Sequence, residues 1–99
     1  MKYRISERAI SDLEKIWFYT FNKWSKEQAD SYHRLIIQEI EFITHNFNQS
    51  RNVDYIRAGY RMTKIKSHLI YFRKVGDFIE IIRILHENMD VENRLSEDK

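Results

Sequence analysis

Ala9, Leu13, Ile16, Trp17, Thr20 and Trp24 recur at steps of three and four, which predicts an amphipathic helix over roughly residues 7 to 23. Ser6 offers its N-cap, and Glu7 sits in the first turn, where the helix dipole favours a negative charge. Ser25 ends this helix and, with Gln28, has the Ser-x-x-Gln spacing of a capping box, so a second helix is expected from about Lys26. Its inner stripe is Ala29, Tyr32, Ile36, Ile40, Ile43 and Phe47. A connection of two or three residues forces the two helices into an antiparallel hairpin. Asn46, Asn48, Gln49, Ser50 and Asn52 then open a polar loop.

Past Gly59 the period changes from helical to near two, and residues 60 to 65, 67 to 75 and 77 to 86 are expected as strands. Gly76-Asp77 is the expected hairpin turn between the last two. The segment from Ile79 to Leu85 is apolar on both faces, which marks an inner strand. Tyr3 and Ile5 alternate in a short opening strand. Near the end, residues 91 to 95 fit a helical turn and 96 to 99 a charged tail, and the stretch 91 to 99 as a whole is expected to be frayed or ordered by a partner. The order β-α-α-β-β-β is an α+β architecture, with the helical hairpin on one face of a mostly antiparallel sheet and the other face left for a partner.

Composition narrows the function classes. A chain of 99 residues with 42% hydrophobic and 32% charged residues is expected to form one domain, residues 1 to 99, with one core and a charged surface. The absence of Cys excludes disulfides, thiolate metal sites and a cysteine nucleophile. The N-terminus lacks the apolar run of a signal peptide, and no stretch of ~18 apolar residues occurs. A cytoplasmic protein that neither enters nor spans a membrane is the expectation.

The net charge of +2 argues little, but its distribution is uneven. From Arg51 to Lys74 there are seven cations, Arg51, Arg57, Arg61, Lys64, Lys66, Arg73 and Lys74, against Asp54 alone. An acidic partner, a phosphate backbone or plain solvation would each suit that segment.

Three pieces in the second half, with the opening half, resemble a known family. Arg57-x-Gly59-Tyr60-Arg61 is followed by His68-Leu69-Ile70-Tyr71-Phe72-Arg73, then by Ile82-Arg83-Ile84-Leu85-His86 and Asp90 four residues on. The first half carries Asp12-Leu13, Ile16-Trp17, Tyr19-Thr20, Trp24 and Gln28-Ala29 in matching order. Together, from Tyr3 to about Glu92, they resemble the RelE/ParE superfamily of type II toxin-antitoxin systems, closer to its ParE branch of plasmid stabilisation and gyrase poisoning. The resemblance implies a RelE/ParE-like fold, DNA gyrase as target, and a ParD-like antitoxin that binds the toxin directly in a hetero-oligomer. It also implies an alternative: relatives of the RelE branch cut messenger RNA on the ribosome.

The nuclease chemistry needs cations for the phosphate transition state and a group to move the ribose proton. In that branch the middle strand reads Tyr-Arg-Leu, an Arg follows the last strand, and a Tyr or His lies near the C-terminus. Here those places hold His68, then Glu87 and Asn88, and no Tyr follows Tyr71. The cation set is depleted, so no catalytic residue is assigned and no enzyme activity is expected. The alternative set would be His68 and His86 with Arg61 or Arg83.

His68, at a strand start, suits a hydrogen-bonded rim position as well as catalysis. His86 and Asp90 are read first as a latch holding the C-terminal tail, and second, with Met89, as contacts to the target. Arg83 interrupts an Ile-rich strand and needs either an internal partner, such as Glu80 or a tail carboxylate, or a groove. In the groove reading, Arg61, Arg73 and Arg83 line the face opposite the helices. Arg61, Lys64, Arg73 and Arg83 then receive an acidic antitoxin segment, and Trp17 adds an apolar contact. One helix cannot bury Trp17, Phe18, Tyr19, Phe21 and Trp24 together, so an exposed aromatic edge is expected. His33 and His45 have no matching ligands, so no metal or cofactor is expected. Direct sequence-specific nucleic-acid binding is not expected either, because no recognised motif is present.

Overall fold

The computed structural model describes residues 2–89 and 94–95. A five-stranded sheet carries two helices on one face. Its elements are β1 (Lys2–Ile5), α1 (Glu7–Lys23), α2 (Lys26–His45), a 3-10 turn (Phe47–Gln49), β2 (Arg51–Asn52), β3 (Arg61–Ile65), β4 (His68–Val75) and β5 (Phe78–His86). The strand order is β1-β5-β4-β3-β2, with β1 parallel to β5 and every other pairing antiparallel. The expected hairpin and mostly antiparallel sheet are both present, and the 3-10 turn and two-residue β2 are added where a plain loop was expected.

Each helix starts where its cap predicts. Ser6 Oγ accepts from the Ala9 N–H at 3.1 Å and Ser25 Oγ from the Gln28 N–H at 3.1 Å, each satisfying a backbone donor that the first turn leaves free. Ser6 does more than cap. Its hydroxyl donates to the Ile82 carbonyl at 2.9 Å and its N–H to the Ile81 carbonyl at 3.0 Å, so the start of α1 is fastened to β5.

The main core lies between helices and sheet: Ala9, Leu13, Ile36, Ile40 and Ile43 meet Ile70, Phe72, Ile79, Ile81 and Ile84. Across β4 and β5 the register shifts between Tyr71 and Phe72, which pair with Arg83 and Ile81. Ile82 therefore has no opposite number, and the alternation of β5 changes phase there. Ile79 and Ile81 face the helices before the bulge, and Ile84 after it.

The second sheet face differs from expectation. It carries its own buried cluster, in which Val53 and Tyr60 of the β2–β3 connection and Leu95 pack on Tyr71, Ile82 and Leu85. This is why β5 is apolar on both sides: both sides are covered. Leu95 is only 1% exposed, so at that position the chain is packed and not frayed. The other expectations for 91–93 and 96–99, with that for Asp90, lie outside the described residues.

Candidate functional site

Arg83 does not face an open groove. Its side chain is 9% exposed, and it reaches Asp12 of α1, whose side chain is 8% exposed. The guanidinium donates from Nε at 2.8 Å and from a terminal nitrogen at 2.9 Å, and the Ile84 N–H adds a third bond to the same carboxylate at 3.0 Å. Two buried charges persist only when paired and hydrogen-bonded in this way. Asp12 is a partner that the expectation of Glu80 or a tail carboxylate did not include; the carboxylates of 90–93 and 96–99 lie outside the described residues. Asp12 was legible as an oddity, since it falls in the apolar stripe between Ala9 and Leu13, where a carboxylate must find a cation.

The remaining predicted cations do not form one groove. Arg61 turns to the helix side, where its guanidinium lies 5.0 Å above the Phe47 ring and donates to Ser50 Oγ at 2.8 Å and the Ser50 carbonyl at 2.6 Å. Alternation places Lys64 and Arg73 on the second face, and both are exposed. Lys64 pairs with Glu87 at 3.0 Å and Arg73 with Glu80 at 3.0 Å. Of Arg61, Arg73 and Arg83, therefore, only Arg73 lies on the face opposite the helices with its head in solvent.

The aromatic edge is present. Trp17 is half-buried, donates from its indole N–H to Asp30 of α2 at 2.9 Å, and stacks on Phe21 at 5.2 Å. Phe18, Tyr19, Phe21 and Trp24 are all exposed, Trp24 at 69%.

The structure does unite the two C-terminal histidines. His68 opens β4 directly opposite His86, the last residue of β5, and their rings meet edge to face at 5.4 Å. Tyr32 of α2 completes the cluster, with its hydroxyl 2.6 Å from His68 Nδ1 and 3.3 Å from the Ile65 carbonyl. That hydroxyl has one proton for two acceptors, so if it goes to Ile65 the imidazole must donate from Nδ1. Burial, and after it the neighbouring His86, hold the His68 pKa below its ordinary value, so this ring is neutral at pH 7. Burial likewise raises that of Tyr32. His86 Nδ1 accepts the Asn88 N–H at 3.1 Å, which places the proton of a neutral His86 on Nε2. The Glu87 N–H donates to the Ser67 carbonyl at 2.9 Å, tying the end of β5 to the β3–β4 turn. His86 and Met89 are thus positioned, whereas Asp90 and its latch lie outside the described residues.

Above the histidines opens a cleft of about 870 Å³, walled by α1, the start of α2, the β3–β4 turn and the end of β5. Sequence reasoning placed Tyr32 in the core and missed its hydroxyl, although a phenol on a core stripe needs a partner. Arg61 is remote from this place. It pairs across the sheet with Phe72, whereas His68 pairs with Ile65, and four residues of strand span roughly 13 Å. Among the described residues, no group of three or more His, Asp or Glu is placed to hold a metal ion. No helix among them is long and apolar enough to cross a membrane.

Comparison with known proteins agrees with this architecture. A family model described as the ParE toxin of type II toxin-antitoxin system, parDE, matches residues 3–91. The chain is 40% identical over 93 residues to Toxin ParE1 of Caulobacter vibrioides, covering 94% of this chain and 96% of that one. It is 36% identical over 95 residues to Toxin ParE1 of Mycobacterium tuberculosis, covering 95% and 97%. Among solved structures, the chromosomal ParDE TA system from P. aeruginosa is similar in fold, with a TM-score of 0.77 and 22% identity over 87% of this chain and 95% of that chain.

Proposed function

The chain belongs to the ParE toxin family of type II toxin-antitoxin systems, and on that premise we propose that it inhibits DNA gyrase in the cytoplasm and is neutralised by direct binding of a ParD-like antitoxin. The observation that carries the choice of target is the state of the arginines singled out with His68 and His86 for a nuclease site. A ribosome-dependent nuclease needs cations rigidly placed on the scissile phosphate, but burial lowers the His68 pKa, Arg83 is bonded to Asp12, and Arg61 is bonded to Ser50 and stacked on Phe47, which leaves, among the described residues, only flexible rim lysines near the histidines. Loss of one preorganised donor commonly costs ~10²-fold or more in rate. His86 and Met89, fixed beside the β3–β4 turn, are left as target contacts, with Asp90 beside them in sequence. No catalytic residue, metal or cofactor is assigned.

For the antitoxin, the accessible groups favour Lys64 and Arg73 on the second sheet face and Trp17 with the exposed aromatics of α1. Arg61 and Arg83 hold the fold instead. Charge complementarity of this kind acts chiefly on the rate of encounter and its salt dependence. A Lys64→Glu, Arg73→Glu double variant should associate with the antitoxin more slowly, with a weaker response to salt; an unchanged association rate removes those residues from the interface.

The edge-to-face His68–His86 pair favours one second reading, RNA cleavage with these imidazoles as acid and base. Purified protein is incubated with gyrase, ATP and relaxed plasmid, and in parallel with translating ribosomes. Blocked supercoiling or trapped cleaved DNA without cut messenger supports the gyrase reading. Codon-positioned cuts that vanish in His68→Ala, with gyrase untouched, overturn it.

A further inference from the structure

We propose that the cleft above His68 and His86 binds a nucleoside phosphate, with the base against the exposed rings of Trp24 and Tyr19 and the phosphate on the rim lysines Lys15, Lys23 and Lys66. The charge of the lining is the first reason. The chain as a whole carries 17 cations and 15 anions, whereas the described residues that line the cleft include three lysines and two histidines and no Asp or Glu. That lining favours an anion. Lys26, Lys64 and Arg73 are each paired with a carboxylate, whereas Lys15, Lys23 and Lys66 form no ion pair among the described residues. Lys15 and Lys66 are therefore open to a ligand's phosphate, and Lys23, which donates to the Tyr19 hydroxyl at 3.2 Å, keeps its charge unpaired by any described carboxylate.

The second reason is the shape and chemistry of the walls. Tyr19 is 63% and Trp24 69% exposed, and the Lys23 ammonium stands 5.5 Å from one ring centroid and 5.9 Å from the other. Flat aromatic faces beside a cation are the combination that takes an unstacked base and its phosphate without reading sequence. The volume of about 870 Å³ lies within the usual range for small-molecule sites. At the floor, the tautomer fixed by Asn88 gives His86 an Nε2–H to donate to a base edge. A free nucleotide and the end of a single strand share this chemistry.

The test is equilibrium binding read by tryptophan fluorescence on the full chain. The probes are adenosine 5′-monophosphate, a five-nucleotide single strand, inorganic pyrophosphate and an acidic peptide containing one Phe. The chain has two tryptophans, and Trp17 lies outside this cleft, so Trp24→Phe assigns the signal. The expected result is saturable quenching by the monophosphate and the oligomer. Binding should weaken about tenfold or more in Trp24→Ala, since a base stack is typically worth that factor. A similar loss is expected in Lys23→Glu, Lys66→Glu. All these positions are exposed, so unchanged melting curves confirm folded variants. Equal affinity for the two nucleotide probes identifies a free nucleotide as ligand; an oligomer bound tenfold tighter identifies a strand end. No quenching by either probe at millimolar concentration overturns the proposal. So does competition by pyrophosphate as effective as by the monophosphate, or an acidic peptide that binds where nucleotides do not.

Discussion

Asp12 and Arg83, 71 residues apart in the chain, close a two-pronged ion pair inside the protein and so lock the first helix to the last strand. Removing one partner breaks that lock. Asp12→Ala is therefore expected to cost about 3–5 kcal/mol of stability, because it removes the two hydrogen bonds that this carboxylate accepts from the buried guanidinium and the one it accepts from the Ile84 N–H. Replacing both partners, as Asp12→Leu with Arg83→Met, should recover much of that loss. Urea unfolding monitored by circular dichroism decides it. A single variant within ~0.5 kcal/mol of the parent, the scale of an ordinary surface change, would show that the pair is not sealed.

His68 makes stability fall in mild acid. Burial, then His86, depress its folded-state pKa below the ordinary imidazole value of 6.5, so the unfolded chain binds its proton first. The contribution is fully present above about pH 6.5 and is lost as pH falls from there through the depressed folded pKa. Urea midpoints at pH 7.5, 6.5 and 5.5 should decline in the parent. In His68→Gln the decline should be shallower, and an identical slope would exclude His68 as its source.

Leu95 is expected to matter out of proportion to its place near the end of the chain. Its side chain is buried among Val53, Tyr60, Tyr71, Ile82 and Leu85, and truncating a buried leucine to Ala costs about 2–5 kcal/mol. Leu95→Ala should shift the urea midpoint by a corresponding amount, whereas Arg94→Ala, at an exposed neighbour, should leave it in place.

Chelation should be silent. Among the described residues, no three His, Asp or Glu side chains are placed to share an ion, so EDTA is expected to leave the melting temperature unchanged. A drop in EDTA that zinc or magnesium restores would disprove this.

Elements governed by local rules were legible in the sequence. Ser6 and Ser25 mark their helices because a cap needs only its own first turn, and the three long strands follow from a period of two. Long-range partnerships were less so. Arg83 announced that it needed a partner, but several carboxylates qualified, and only the fold brings Asp12 to it. The two-residue β2 has no periodicity to detect. Arg61 was assigned to the wrong face because alternation gives relative sides, and which side meets the helices depends on Phe47 and Ser50. His68 and His86 were each singled out, but their contact is a matter of register. The cover on the second sheet face was hidden too, since Val53, Tyr60 and Leu95 are scattered singly through segments that look like loop and tail.

The parallel pairing of β1 with β5 also sets when the toxin can exist. Ser6 and Ile82, joined by a hydrogen bond, are 76 residues apart, so the first strand made during synthesis waits for the last before it has a neighbour. Contacts this distant in sequence pay their loop-closure entropy late and slow the final step of folding. A chain synthesised only as far as the second helix can form its helical hairpin, but it cannot yet fasten Ser6 to Ile81 or Asp12 to Arg83. Synthesis must therefore pass Ile82 before the sheet can close on its first strand, and until then the two ends of the fold hold nothing together.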